Sequence, residues 1–325
     1  MMRRMFAAGL TSICFLAIFM VVTVTAAEAP GVPSAPPHEP QLTRGGYSIF
    51  HETMVDLSWP EVEKAAAAGA IILFPAGVIE EHGPHMSLGV DTYAAYLICK
   101  LVRRELEARG IRALIAPPFY WGINNATRAF PGSFNSRPST VIAVLYDALE
   151  SLKNWGFKNV FFINYHGDPP HSMAILNAAA EARAGTGIQA YLLMSLFNAT
   201  RWKLLDNKHV LVEKPAPPST TPPLPYVDMH AGKDETGMMA YFFPDGQVDI
   251  PMAGTLPNTE LTRNIVTPVW TEGGAKARQL VPLGYAGYPA LFDANAAGAS
   301  HKAGAQRTAD LVESFLKGTY KPPTP

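Results

Sequence analysis

Short, continuously apolar runs alternate in this chain with longer stretches of helical periodicity, and that alternation constrains its fold most. Residues 70–74 (AIILF) and 159–164 (NVFFIN) lack a polar residue at every second position, so strands built from them must be covered on both faces. Residues 91–108 and 139–155 carry apolar residues at helical spacing and are stopped by Gly110 and Gly156. A strand is expected at 113–116, and a helix at 172–184 and a strand at 188–194 continue the series. An earlier helix covers 60–68: Ser58 and Glu61 form a capping box, Pro60 suits the first turn, and Gly69 ends it. Helices alternating with two-sided strands predict an α/β fold, a three-layer α/β/α domain with a mostly parallel central sheet. Ligands of such sheets bind beyond the carboxyl ends of the strands, so function is expected in the loops that follow 70–74 and 159–164.

Not all 325 residues are expected in that domain. Arg3 and Arg4 precede an uncharged apolar run over 5–25, which ends in small residues at Ala26, Ala27 and Ala29. This is the pattern of a cleaved export signal over 1–29. A retained membrane anchor is the rival reading, since a spanning helix needs about 20 apolar residues. Either reading puts the bulk of the chain outside the cytoplasm, periplasmic or secreted, with contact to a membrane only through this segment. Residues 30–45 (PGVPSAPPHEPQLTRG) suit an extended tether, and 46–320 a single domain. Between 203 and 226 the order gives way to VEKPAPPSTTPPLP, expected to be a surface excursion without a core element.

A formal net charge of −1 offers no basic surface for nucleic acid, which leaves small-molecule chemistry. Of the two cysteines, Cys14 falls in the signal, so the mature chain keeps Cys99 alone and can form no internal disulfide. Cys99 lies in the 91–108 helix, where it reads as a packing thiol.

Three clusters carry chemistry. The loop PAGVIEEHGPHMSLGVD at 75–91 holds Glu80, Glu81, His82, His85 and Asp91. INYHGD at 163–168 adds His166 and Asp168, and DMHAGKDET at 228–236 adds Asp228, His230, Asp234 and Glu235. Any one of these is more often a hydrogen-bonded or solvated side chain than a ligand, but three such clusters at sheet ends reverse that weighting. Carboxylate oxygens mixed with imidazole suit zinc or manganese, and the lack of thiolates excludes a structural zinc knot. Two such cations sharing one carboxylate would activate water for hydrolysis without a covalent intermediate. His85 and His171 could equally orient their neighbours, and His38, His51, His209 and His301 look incidental.

At these residues the chain resembles the creatininase, or creatinine amidohydrolase, family. EEHGPHMSLGVD is similar to that family's E-Q-H-G-P-H signature with its following Asp, and the likeness continues through APPFYWG, FPGS, GFKNVFFINYHGD, HAGKDET and LGYAGYP. The resemblance implies that Asp91 bridges two zinc or manganese ions, with Glu80 and His166 on one and His82 on the other. Either Asp168 or Glu235 would complete the second site. It implies His230 for proton transfer or oxyanion stabilisation, with Glu81 beside it in the catalytic set, and a homo-oligomer, the hexamer being the family's candidate assembly. Glu81 replaces the usual Gln, Thr127 a frequent His, Tyr165 a Gly and Tyr288 a common Asp, and no tryptophans match those that close over creatinine. The expected activity is therefore hydrolysis of a C–N bond in a cyclic or linear amide other than creatinine. The alternatives are a metal-dependent peptidase or deformylase of the same family, or a non-catalytic periplasmic binding protein.

Overall fold

In chain order the elements are α1 (Trp59–Ala67), β1 (Ile71–Ala76), α2 (Val90–Ala108), β2 (Ala113–Ile115), α3 (Pro138–Asn154), β3 (Asn159–Asn164), α4 (Pro169–Thr186) and β4 (Gln189–Ser195). They are followed by α5 (Leu196–Arg201), β5 (Val210–Glu213), α6 (Lys233–Phe242), α7 (Ile250–Ala253), α8 (Arg263–Glu272), α9 (Ala275–Leu280) and α10 (Ala294–Leu316). The structure is a computed structural model and describes residues 48–218 and 222–324; the predicted signal at 1–29 and tether at 30–45 lie outside the described residues. Among the described residues no helix is long and apolar enough to cross a membrane.

The five strands form one parallel sheet in the order β2-β1-β3-β4-β5. Its residues alternate between two cores. Ile72, Phe74, Val160 and Phe162 face α3 and α4 through Leu145, Leu149 and Ile175. Ile71, Leu73, Phe161 and Ile163 face α2 and α10 through Cys99, Val102 and Val312. Both faces are covered, as the continuously apolar strands require. The chain moves outward from β1 to β2 and then crosses back over β1 to β3. With right-handed crossovers, that reversal puts α2 on the opposite face from α3 and α4. It also opens a crevice at the carboxyl ends of β1 and β3, the two strands that lead into the first two ligand clusters.

Local signals placed most elements to within a few residues. Glu61 accepts hydrogen bonds from both the backbone N–H (2.8 Å) and the hydroxyl (2.6 Å) of Ser58 at the start of α1. Helix α4 starts earlier than its apolar spacing suggests, because Asp168 caps it and Pro169 and Pro170 fill its first turn. Cys99 is a free, buried thiol packed against the sheet. The reading of 203–226 as lacking a core element is corrected: β5 lies inside it, with Val210, Leu211 and Val212 buried beside β4. A four-residue strand is too short to show a period, and the prolines that follow it dominate the local composition.

Candidate metal centre

The backbone brings the three clusters to one place. Glu80, Glu81 and His82 follow β1, His166 follows β3, and Asp91 lies in the first turn of α2, which starts just beyond the same loop. The third cluster enters through α6. Its approach is fixed by a two-residue antiparallel bridge in which Ala286 N donates to His230 O at 2.9 Å. Asp228 belongs to this scaffold rather than to the centre: its Oδ1 accepts from the backbone N–H groups of Lys233 and Tyr288, each at 3.0 Å. Gly232 and Gly287 lie against that carboxylate, where a Cβ would approach Oδ1 to 1.9 and 2.4 Å. Exposed Asp234 pairs with Lys233.

Two groups of ligand atoms meet at Asp91. His166 Nδ1 lies 2.9 Å from Asp91 Oδ2 and 3.0 Å from Glu80 Oε2. His82 Nε2 lies 3.5 Å from Asp91 Oδ1 and 3.7 Å from Glu235 Oε2. Glu80, His82, Asp91 and His166 are buried, and Glu235 is nearly so. Asp168 lies outside both groups. It is buried at the cap of α4, and its Oδ2 accepts from Asn125 N at 2.5 Å.

These residues suit divalent cations. His82 Nδ1 is 3.1 Å from the carbonyl of Glu80, which can only accept, so Nδ1 carries a proton and Nε2 is the ring atom left facing the carboxylates, where a cation would take its lone pair. That Nε2 is buried with no hydrogen-bond partner among the described residues, and its distances to Asp91 and Glu235 are too long for hydrogen bonds. They are close to the roughly 3.4 Å that separates neighbouring ligands when each sits about 2.1 Å from a tetrahedral zinc. Buried carboxylates this close together also require compensating positive charge.

The proton affinities report the same field. Burial opposes charge on His230, yet the carboxylates of Glu80, Glu81 and Glu235 push its pKa up to about 10. Burial likewise works against a charged His166, and Glu80 and Asp91 raise it well above the ordinary imidazole range. Burial alone would raise Asp91, but His166 and His82 hold it well below the usual carboxylate value. Burial dominates for Glu235, whose pKa is raised. His85 and His171 differ: burial lowers them to about 4 and about 3, which leaves both neutral. They orient neighbours, His85 through Thr236 Oγ1 (2.9 Å) and His171 by accepting from Ile123 N (3.2 Å). His209 is a buried core residue bonded to the Ala190 carbonyl at 3.1 Å.

His230 sits beside the centre, its ring 4.4 Å from that of His82 and 5.1 Å from that of Trp270. Its Nε2 is 2.9 Å from the carbonyl of Glu81 and 3.5 Å from Glu81 Oε1. Glu81 is held by Gly83 N, which donates to Oε2 at 3.0 Å, and by the close approach of Gly284, where a Cβ would fall 1.9 Å from that oxygen. One relay escapes residue-by-residue reading. Glu81 N donates to Ser133 Oγ (3.0 Å), Ser133 to Thr127 Oγ1 (3.2 Å), and Thr127 to Glu80 Oε1 (2.6 Å). FPGS and the Thr127 substitution were its only traces in the sequence.

A family model described as creatininase, creatinine amidohydrolase, matches residues 55–317. The chain belongs to the creatininase family. It is 27% identical over 199 residues to a creatinine amidohydrolase of Pseudomonas putida, covering 58% of this chain and 71% of that protein. It is 27% identical over 222 residues to a mycofactocin precursor peptide peptidase of Mycolicibacterium smegmatis, covering 67% and 74%. A creatinine amidohydrolase crystal structure shares the fold with a TM-score of 0.61 at 22% identity, over 84% of this chain and 99% of that one. A manganese creatininase and a mutant of Zn-Zn type also share this creatininase fold, with TM-scores of 0.58 and 0.59 at 21% identity, over 81% and 83% of this chain and 98% of each.

Proposed function

We propose that this creatininase-family chain is an exported, metal-dependent amidohydrolase that cleaves a C–N bond in a small amide. The observation that carries the reading is Asp91, buried with one oxygen toward His166 and the other toward His82. Glu80, Asp91 and His166 would hold one divalent cation, zinc or manganese, and His82, Asp91 and Glu235 a second. Such cations supply Lewis acidity, acidifying a water and polarising the amide carbonyl that the water attacks.

The chain's own residues do the rest. His82 presents a fixed lone pair because the Glu80 carbonyl holds its other nitrogen. Thr127 donates to Glu80 Oε1, which leaves Oε2 for the cation. His230 donates through Nε2 to the Glu81 carbonyl, so Nδ1 carries the other proton of the protonated ring, which it would deliver to the departing amine. Glu81 positions that ring and favours its protonated form. Asp168 supports the loop at Asn125 rather than the metals. The apolar, uncharged run at 5–25 supports action in the periplasm or outside the cell.

The test is metal content by plasma mass spectrometry together with a screen of cyclic and linear amides. About two equivalents of metal and turnover of an amide are expected. Bound metal without any hydrolysis would instead identify a binding protein. The peptide-peptidase relatives favour one variant of the reading, in which the scissile amide is a peptide bond, and mass analysis of the products separates the two.

A further inference from the structure

A cavity of about 400 Å³ lies between α10 and the sheet, at the carboxyl ends of β3, β4 and β5. His166, whose Nδ1 faces Asp91 and Glu80, forms part of its wall. Glu213, the last residue of β5, forms another part. The strand register places the two. Glu213 pairs with Ser195 of β4, and Leu193 pairs with Ile163 of β3, so Glu213 stands level with Tyr165, the neighbour of His166, two strands away. Two strand spacings are about 10 Å, the length of a small extended molecule.

Glu213 is half-buried on the cavity wall with few partners for a carboxylate. Among the described residues its hydrogen bond comes from Thr308 Oγ1, 2.6 Å from Oε1, and no ion pair supplements it. An ionised carboxylate has about four acceptor positions, and a half-buried one with most of them unused gains from a cationic donor. Trp202 lines the same cavity, and an indole face together with a carboxylate is the pairing that recognises an alkylammonium. Two other groups on the wall carry or could carry positive charge. His301 is kept neutral by burial. Arg307 attracts Glu213 from a distance and also borders a neighbouring groove beside Tyr320 and Lys321.

We infer that this cavity is the second half of the substrate site, taking the ammonium group of an aminoalkyl amide at Glu213 while the amide carbonyl lies at the metal centre beside His166. The inference rests on the amidohydrolase reading of that centre and adds the substrate class.

The probes are N-acetylputrescine and N-butylacetamide, which share an amide and a four-carbon chain and differ by one ammonium group. Each is titrated calorimetrically into the zinc-reconstituted mature protein, as wild type and as Glu213→Gln; glutamine keeps the Thr308 bond, and thermal melts verify the fold. Wild type is expected to bind N-acetylputrescine at least about tenfold more tightly than N-butylacetamide. Glu213→Gln is expected to abolish that preference while leaving metal content and N-butylacetamide affinity unchanged. Equal affinities in wild type, no binding of either probe, or a preference that survives in Glu213→Gln would overturn the inference. Because the readout is binding, it fails separately from the chemistry: a protein that discriminates the probes yet hydrolyses no amide keeps its ammonium site and loses the amidohydrolase reading.

Discussion

Nδ1 of His166 lies 2.9 Å from Oδ2 of Asp91, and this contact turns the second aspartate oxygen toward His82 at 3.5 Å. A single carboxylate thus serves two groups of ligands. Asp91→Ala is expected to lower metal content from about two equivalents to none, whereas Glu80→Ala keeps about one. Plasma mass spectrometry on dialysed protein measures this, and one equivalent retained by Asp91→Ala would show that the two groups bind metal independently.

Glu235 and Asp168 separate cleanly by mutation. Glu235 faces His82 and accepts from Ala231 N at 2.6 Å, while Asp168, the N-cap residue of α4, is committed to the backbone N–H of Asn125. Glu235→Ala should lose about one equivalent of metal. Asp168→Ala should keep both metals and lose about 1 kcal/mol of stability, because a half-buried N–H loses its acceptor. Denaturant unfolding alongside metal analysis reads both; loss of metal in Asp168→Ala with Glu235→Ala unaffected would exchange their roles.

Thr127 touches the candidate metal centre through Glu80, to whose Oε1 it donates. Thr127→Val preserves shape and removes the donor, so metal affinity is expected to fall by about 10–100-fold with little change in the melting temperature of the metal-free protein. Competition with a chelator of known affinity provides the measurement, and unchanged affinity would reduce the relay to packing.

On the outer side of α2, Glu52 pairs with Lys100 at 2.6 Å, with Arg103, and with Arg104 at 3.7 Å. Burial alone would raise its pKa, but these cations hold it below its ordinary value of 4.5. A carboxylate with a lowered folded pKa stabilises the fold above its unfolded value and loses that contribution as pH falls through the folded value. The stability difference between wild type and Glu52→Gln should therefore be largest near neutral pH and shrink below pH 4.5. Partial exposure keeps it at about 1 kcal/mol or less. Thermal melts of both proteins from pH 3 to 7, taken at roughly unit steps, test the direction.

The sequence by itself determined four of the five strands of the sheet and the residue types that gather at its carboxyl ends. Strands such as 71–76 and 159–164 are apolar on both sides, and a strand of that kind is stable only between two layers of helices. Imidazole and carboxylate groups in glycine-punctuated loops after such strands identify the residue types of the candidate metal centre. Tertiary structure alone decided which carboxylate turns inward. Asp168 and Glu235 look equivalent as letters, but one is taken up by the backbone N–H of Asn125 in a neighbouring loop, and the other follows Ala231, whose positive φ of 49° turns the chain so that its N–H meets Glu235. The same holds for Asp228, which accepts from two backbone N–H groups, for Ser133, which accepts from Glu81 N 52 residues away in sequence, and for Thr127, which donates to Glu80 from 47 residues away. Hydrogen-bond demand arises wherever the fold leaves a buried donor or acceptor unmet, and that is set by three-dimensional packing rather than by local residue pattern.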